Sequence, residues 1–269
     1  MELGNPNTVY VNQYDKGLLY PIDRSPQREL LGMRLSALPF EGQDTWTAYE
    51  FTCLLPPGKP TRSVLHIKVP AHSPCIVESK SMKLYLGSFA GSLYPNEKEA
   101  LARIQADLSE ACSAAVTVER LSEASQETLS IEPREAICLD GLAVAVPLGG
   151  FSSDHLVLKS DEQVMASYYT DLFRSLCPMT GQPDYARILL RWEGGDLDQA
   201  GLLQYLFSFR EHGEFAEQVA ERMFIDLAEV IKPVRLGVRA EFTRRGGIDI
   251  NAERQQGYGD WPYQRHYRQ

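Results

Sequence analysis

The chain has 269 residues, 43% hydrophobic and 23% charged, the balance of a water-soluble protein with a sizeable core. Its 27 Lys+Arg against 36 Asp+Glu leave a formal net charge of −9, which lacks the basic footprint of a nucleic-acid binder and predicts no direct contact with RNA or DNA. The longest apolar run, residues 142–148, is too short to cross a bilayer, residues 1–6 show no secretory leader, and five cysteines without CxxC spacing argue against a disulfide framework; the expectation is a cytoplasmic protein with reduced thiols and no membrane partner.

Residues 1–35, rich in Asn, Pro, Tyr and Arg, read as an arm lying on the body or on a partner subunit. A first module is expected over 36–125. Its aromatic and apolar run at 46–55 predicts a strand closed by Pro56-Pro57-Gly58, and the alternation at 64–69 predicts a half-buried strand that Pro70 stops. Ala100, Leu101, Ile104 and Leu108 lie at helical spacing within 97–112, with Asn96 as N-cap. Strand character resumes at 116–118. A connector over 126–160 leads to a second module, 161–269. There the spacing predicts a helix over 162–176 ended by Cys177-Pro178, a strand over 185–192, and a helix-rich stretch over 198–231. A last strand is expected over 236–242, turning at Arg244-Arg245-Gly246-Gly247, with an extended tail after Asn251.

The halves echo each other at an offset of 120. Tyr85-Leu86-x-Ser88-Phe89 recurs as Tyr205-Leu206-x-Ser208-Phe209; beyond it Ala100 meets Ala220, Ile104 meets Phe224 and Val118 meets Val238, with no gap. A repeated strand-and-helix unit predicts an α+β fold: tandem antiparallel sheets with helices on one face.

Three segments could carry chemistry. In Glu78-Ser79-Lys80-Ser81-Met82-Lys83-Leu84-Tyr85 the bland reading is a solvated helix start capped by Ser79 or Ser81. The functional reading has Glu78 accepting from a heterocycle while Ser79 and Lys80 hold a phosphate. In Cys177-Pro178-Met179-Thr180-Gly181-Gln182-Pro183-Asp184 the cysteine is either a small core residue or a nucleophile with an acid across a small electrophile. Arg244-Arg245-Gly246-Gly247 is either an ordinary hairpin turn or a phosphate wrap. His66, His72, Cys53 and Cys75 match no zinc spacing, so no metal is expected, and Cys75 reads as packing. GxGxxG, GxxxxGK[ST] and GxSxG motifs are all missing.

Together these segments, with Leu38-Pro39-Phe40-x-Gly42-x-Asp44-x-Trp46-Thr47, resemble the NADPH-dependent 7-cyano-7-deazaguanine reductases, the nitrile reductases of queuosine biosynthesis, in their long two-module form. The resemblance implies two tandem tunnelling-fold modules, a homodimer, a deazapurine substrate, and NADPH as cosubstrate, two per turnover. It puts the nucleophile on Cys177 and the proton donor on Asp184. Substrate contacts fall on Ile76, Val77, Glu78, position 216 and Glu217, and NADPH contacts on Ser79, Lys80, Arg245 and Gly246. One position departs: the family usually has histidine where this chain has Ala216, and His212, one helical turn upstream, is the nearest substitute. Other readings are a tunnelling-fold pterin or purine enzyme (cyclohydrolase-like or amidinotransferase-like) and a deazapurine-binding protein without turnover.

Overall fold

The computed structural model describes residues 10–121, 129–130, 136–259, 261–262 and 265–269. The chain forms two compact units, each assembled from separated segments: Met1–Arg24, Trp46–Ser122 and Gly246–Ile248 in the first; Ser25–Thr45, Glu123–Arg245 and Asp249–Gln269 in the second. Both combine antiparallel strand pairs with helices, the expected α+β class. Among the described residues no helix is long and apolar enough to cross a membrane.

In the first unit β1 (Pro21–Asp23) pairs antiparallel with β4 (Cys75–Val77). Strand β2 (Gln43–Phe51), which enters this unit at Trp46, lies beside β3 (Ser63–Pro70), and β3 pairs antiparallel with β5 (Thr117–Arg120). Two helices follow β4, α1 (Ser79–Ser88) and α2 (Glu97–Cys112). The N-cap of α2 is Asn96, whose side chain accepts from the Glu99 N–H at 3.1 Å, as its sequence position predicts. Leu65, Ile67, Met82, Tyr85, Phe89, Ile104 and Leu108 are fully buried. Each such side chain contributes about 1.5–3 kcal/mol relative to exposure. Residues 10–24 run over this core: Tyr14 and Tyr85 both donate to Asp107 Oδ2, at 2.7 and 2.8 Å.

The second unit is built on β6 (Leu158–Leu176), β7 (Pro183–Leu197), β8 (Arg235–Arg245) and β9 (Ile248–Gln256), side by side in that order. Helices α3 (Gln199–Ser208) and α4 (Ala216–Ile231) pack on it. The helix expected over 162–176 is instead the long strand β6, antiparallel to β7 along its length. Tyr168, Tyr169 and Thr170 favour a pleated surface, and an extra residue between Thr170 and Phe173 shifts the register. That bulge breaks the two-residue alternation of buried positions and imitates a helical period. The tail after Asn251 begins extended, as expected, but as part of the sheet: β9 continues to Gln256 beside β8.

The internal repeat is real in structure, with one correction. Helices α1 and α3 are both 10 residues long and begin 120 apart, each followed by a 3-10 turn, Phe89–Gly91 and Phe209–Glu211. Helices α2 and α4 are both 16 residues long but begin 119 apart. One residue fewer separates turn from helix in the second copy, so the buried Ala100, Ile104, Leu108 and Cys112 correspond to Val219, Met223, Leu227 and Ile231. The Tyr85–Asp107 bond recurs as Tyr205–Asp226 at 2.7 Å, and both helices end on left-handed residues, Ser113 and Lys232.

A buried ionic network ties the second unit's earliest segment to its last strand. Arg254 donates to Asp44 Oδ1 at 2.7 Å and to Glu221 Oε1 at 2.9 Å, and Arg28 donates to Glu221 Oε1 at 2.7 Å. All four side chains are at most 2% exposed. Such charges tolerate burial only because every one has opposite-sign partners.

Candidate active site

Cys177 stands at the end of β6, where the chain reverses into β7. Its N–H donates to Gln182 O at 2.8 Å and its carbonyl accepts from the Gly181 N–H at 2.9 Å, closing a tight loop. Gly181 has φ +68°, a conformation that glycine adopts without steric cost. Across the hairpin Leu176 faces Pro183 and Ser175 faces Asp184. Phe173, Ser175 and Cys177 are the alternately buried positions here, so thiol and carboxyl lie on one face. Cys177 is 8% exposed and Asp184 6%.

Burial pushes the Asp184 carboxyl above the ordinary carboxylate range, against the Arg245 guanidinium, which ion-pairs with Oδ1 and pulls it down. Arg245 comes from the end of β8 and is more open to solvent than its partner. The hairpin and β8 therefore bring together Cys177, Asp184 and Arg245.

The loop before α4 runs beside the same strand end. The Leu176 N–H donates to His212 O at 2.9 Å, and the Glu214 N–H donates to Leu176 O at 3.2 Å. This backbone pairing sets the start of α4, with half-buried Ala216 and buried Glu217, next to the thiol-bearing loop. The Glu217 backbone carbonyl accepts from Arg254 Nη2 at 3.4 Å, so the ionic network also braces this first turn.

His212 does not stand one turn before Ala216 on a shared helix, because α4 begins only at Ala216. Its ring stacks on Phe151, with centroids 4.8 Å apart, and its Nε2 pairs with Glu214 Oε1 at 3.3 Å. Burial raises the Glu214 carboxyl, but His212 and Arg222 outweigh it and hold the carboxyl below its usual range. A ring engaged in this way is not a free replacement for an imidazole at 216.

In the first unit Ile76 and Val77 are buried on β4, and their register partners are Ile22 and Pro21. Glu78, not Ser79 or Ser81, is the N-cap of α1: its carboxylate accepts from the Lys80 N–H at 2.9 Å and the Ser81 N–H at 2.7 Å. A serine hydroxyl can satisfy one helix-end amide, whereas a carboxylate satisfies two and also meets the positive end of the dipole. With about four lone-pair directions, the same group can cap the helix and still accept from a ligand. Ser79 is half-buried and Lys80 exposed beside it. Cys75 lies opposite Asp23 on β1, and burial followed by Asp23 pushes its thiol up, which disfavours the thiolate.

One turn along α1, Lys83 lies over Gly246, where a Cβ would come within 2.5 Å of Nζ; Gly246 itself has φ +58°. They line a cavity of about 170 Å³ with Glu50, Thr52, Leu86 and Gly247. Lys83 is exposed, yet it adds a cation beside this glycine turn that the motif alone does not mark. Its spacing of three from Lys80, on the same helix face, is the signal that could have singled it out.

Two family models match the chain: "Nitrile reductase, 7-cyano-7-deazaguanine-reductase N-term" over residues 10–120, and "QueF-like protein" over residues 183–260. The NADPH-dependent 7-cyano-7-deazaguanine reductase of Burkholderia thailandensis is 44% identical over 245 residues, covering 91% of this chain and 89% of the relative. That of Burkholderia lata is 45% identical over 247 residues with the same coverage. The crystal structure of the archaeosine synthase QueF-Like in the apo form aligns with 38% of this chain and all of its own, at 16% identity and a TM-score of 0.32, too loosely to bear on the fold. With two family models in chain order and relatives matched over nine-tenths of its length, the chain belongs to the NADPH-dependent 7-cyano-7-deazaguanine reductase family.

Proposed function

We propose that this protein reduces the nitrile of 7-cyano-7-deazaguanine to the primary amine of 7-aminomethyl-7-deazaguanine, oxidising two NADPH, in the cytoplasmic pathway to queuosine in tRNA. The observation that carries the reading is the buried pair of Cys177 and Asp184 on one face of the β6–β7 hairpin. A nitrile carbon accepts hydride poorly until it is polarised. Attack by the Cys177 sulfur forms a C–S bond, and one π pair of the C≡N bond moves to nitrogen, which takes a proton from Asp184 to give a thioimidate. Hydride addition to that carbon is followed by C–S cleavage, which returns the thiolate and leaves an imine; a second hydride and a second proton complete the amine. NADPH supplies both hydrides. Burial raises this carboxyl above the ordinary range, so it holds its proton to higher pH than an exposed aspartate and is better suited to donate it.

Glu78 and Glu217 are assigned to the N–H groups of the deazapurine edge, with Ile76, Val77 and Ala216 as its walls. Ser79, Lys80, Arg245 and Gly246 are assigned to NADPH. Their donor set fits a phosphate-bearing cosubstrate: a helix start, cationic side chains and a glycine with a left-handed backbone. The functional modules are proposed at 36–125 and 161–269, after an arm at 1–35 and around a connector at 126–160, acting as a homodimer.

Mixing protein, cyano substrate and NADPH while following NADPH absorbance tests the reading. Oxidation of two equivalents per substrate is expected, together with a new ultraviolet band from the thioimidate that the Cys177→Ala protein lacks. A Cys177→Ala protein that still forms the band removes the covalent step. Ala216 supports a second reading, in which the ligand is bound without turnover because no imidazole adjoins Glu217; tight binding with no NADPH oxidation is its signature.

A further inference from the structure

Resting on that reading, the geometry points to Ser175 as a further residue of the site: its hydroxyl positions the Asp184 carboxyl by a hydrogen bond made as the proton is transferred. Ser175 is 0% exposed, and its Oγ has no hydrogen-bond partner in the unliganded protein. A buried hydroxyl left unpaired is costly, and alanine would fill the same space without that cost. The hydroxyl is also not at random. It lies directly across the hairpin from Asp184, at the separation where opposed side chains of antiparallel strands meet, and two residues before Cys177 on the same inward face.

Among the described residues the charged partner of this carboxyl is Arg245, from β8, and the titratable group on its own face of the hairpin is the Cys177 thiol at the end of β6. Arg245 neutralises charge but comes from the more solvent-open side. Ser175 lies opposite on the neighbouring strand, where a donated hydrogen bond would fix the rotation of the carboxyl and leave its acidic oxygen turned to the nitrile nitrogen. A donor of this kind favours the ionised carboxyl, so its removal raises the Asp184 pKa as well as loosening its orientation.

The test compares wild type, Ser175→Ala and Ser175→Thr by kcat, KM for the cyano substrate, and the pH dependence of thioimidate formation. Ser175→Ala is expected to lower kcat about tenfold with KM within about twofold, and to move the basic limb to higher pH. Ser175→Thr, which keeps the hydroxyl, is expected to hold the wild-type limb. An alanine variant with an unmoved limb, whatever its rate, overturns the inference, as does a threonine variant whose limb moves with alanine's. Wild-type protein that forms no adduct on Cys177 overturns instead the underlying reading.

Discussion

Arg245 carries two demands that compete. In its proposed role as a phosphate ligand it would turn to the cosubstrate; in the unliganded protein it is paired with Asp184. Burial alone would raise the Asp184 carboxyl further, and the guanidinium is what restrains it. The sign follows: remove the cation and the carboxyl stays protonated to higher pH, so the basic limb of thioimidate formation moves upward. Arg245→Gln should show that shift together with an NADPH KM raised about tenfold or more, the worth of one charge-assisted hydrogen bond. A limb that stays in place, measured by stopped-flow absorbance, would show that the ion pair does not set the acid's strength. Cys177, Asp184 and Arg245 were all visible in the sequence as reactive types at suggestive turns. Ser175 was not, because a serine between Arg174 and Leu176 carries no mark until its cross-strand partner is known.

Helices and strands divided unequally in legibility. Helix α2 could be read to its boundaries, since Asn96 marks its start and a plain amphipathic stripe follows. Strand β6 could not, because the irregularity between Thr170 and Phe173 disguises its period. The repeat was partly legible: its conserved Tyr-Leu-x-Ser-Phe segment is local, but the single missing residue before α4 shows only when helix ends are compared. That comparison makes Asp198 the counterpart of Glu78, each a carboxylate at the N-cap of a 10-residue helix. Asp198 accepts from the Gly201 N–H at 2.7 Å. Asp198→Ala should therefore cost about 1 kcal/mol, roughly 2–4 °C in melting temperature, and leave thioimidate formation unchanged. Glu78→Ala should carry the same cost but also lose substrate affinity, and calorimetry alongside ligand titration separates the two effects.

The compact units do not follow the order of the chain. Residues Ser25–Thr45 belong with the second unit although more than seventy residues of the first come between, and no reading along the sequence exposes that exchange. Charges join apolar packing in holding that segment there: Arg28 and Asp44 complete the partner sets of Glu221 and Arg254, while the Phe40 ring packs edge-on against Phe224. Breaking one member of such a buried set by truncation costs about 3–5 kcal/mol, a large part of what holds a domain folded. A fragment beginning at residue 126 is therefore expected to be insoluble or unfolded by circular dichroism, whereas the same fragment supplied with a synthetic 25–45 peptide should recover native signal. A fragment that folds unaided would show that the ionic set is dispensable. For evolution the implication is that the second copy, once it drew on the segment at 25–45, could no longer be inherited alone: a gene that dropped that stretch would leave Arg254 and Glu221 each short of a counterion in its interior.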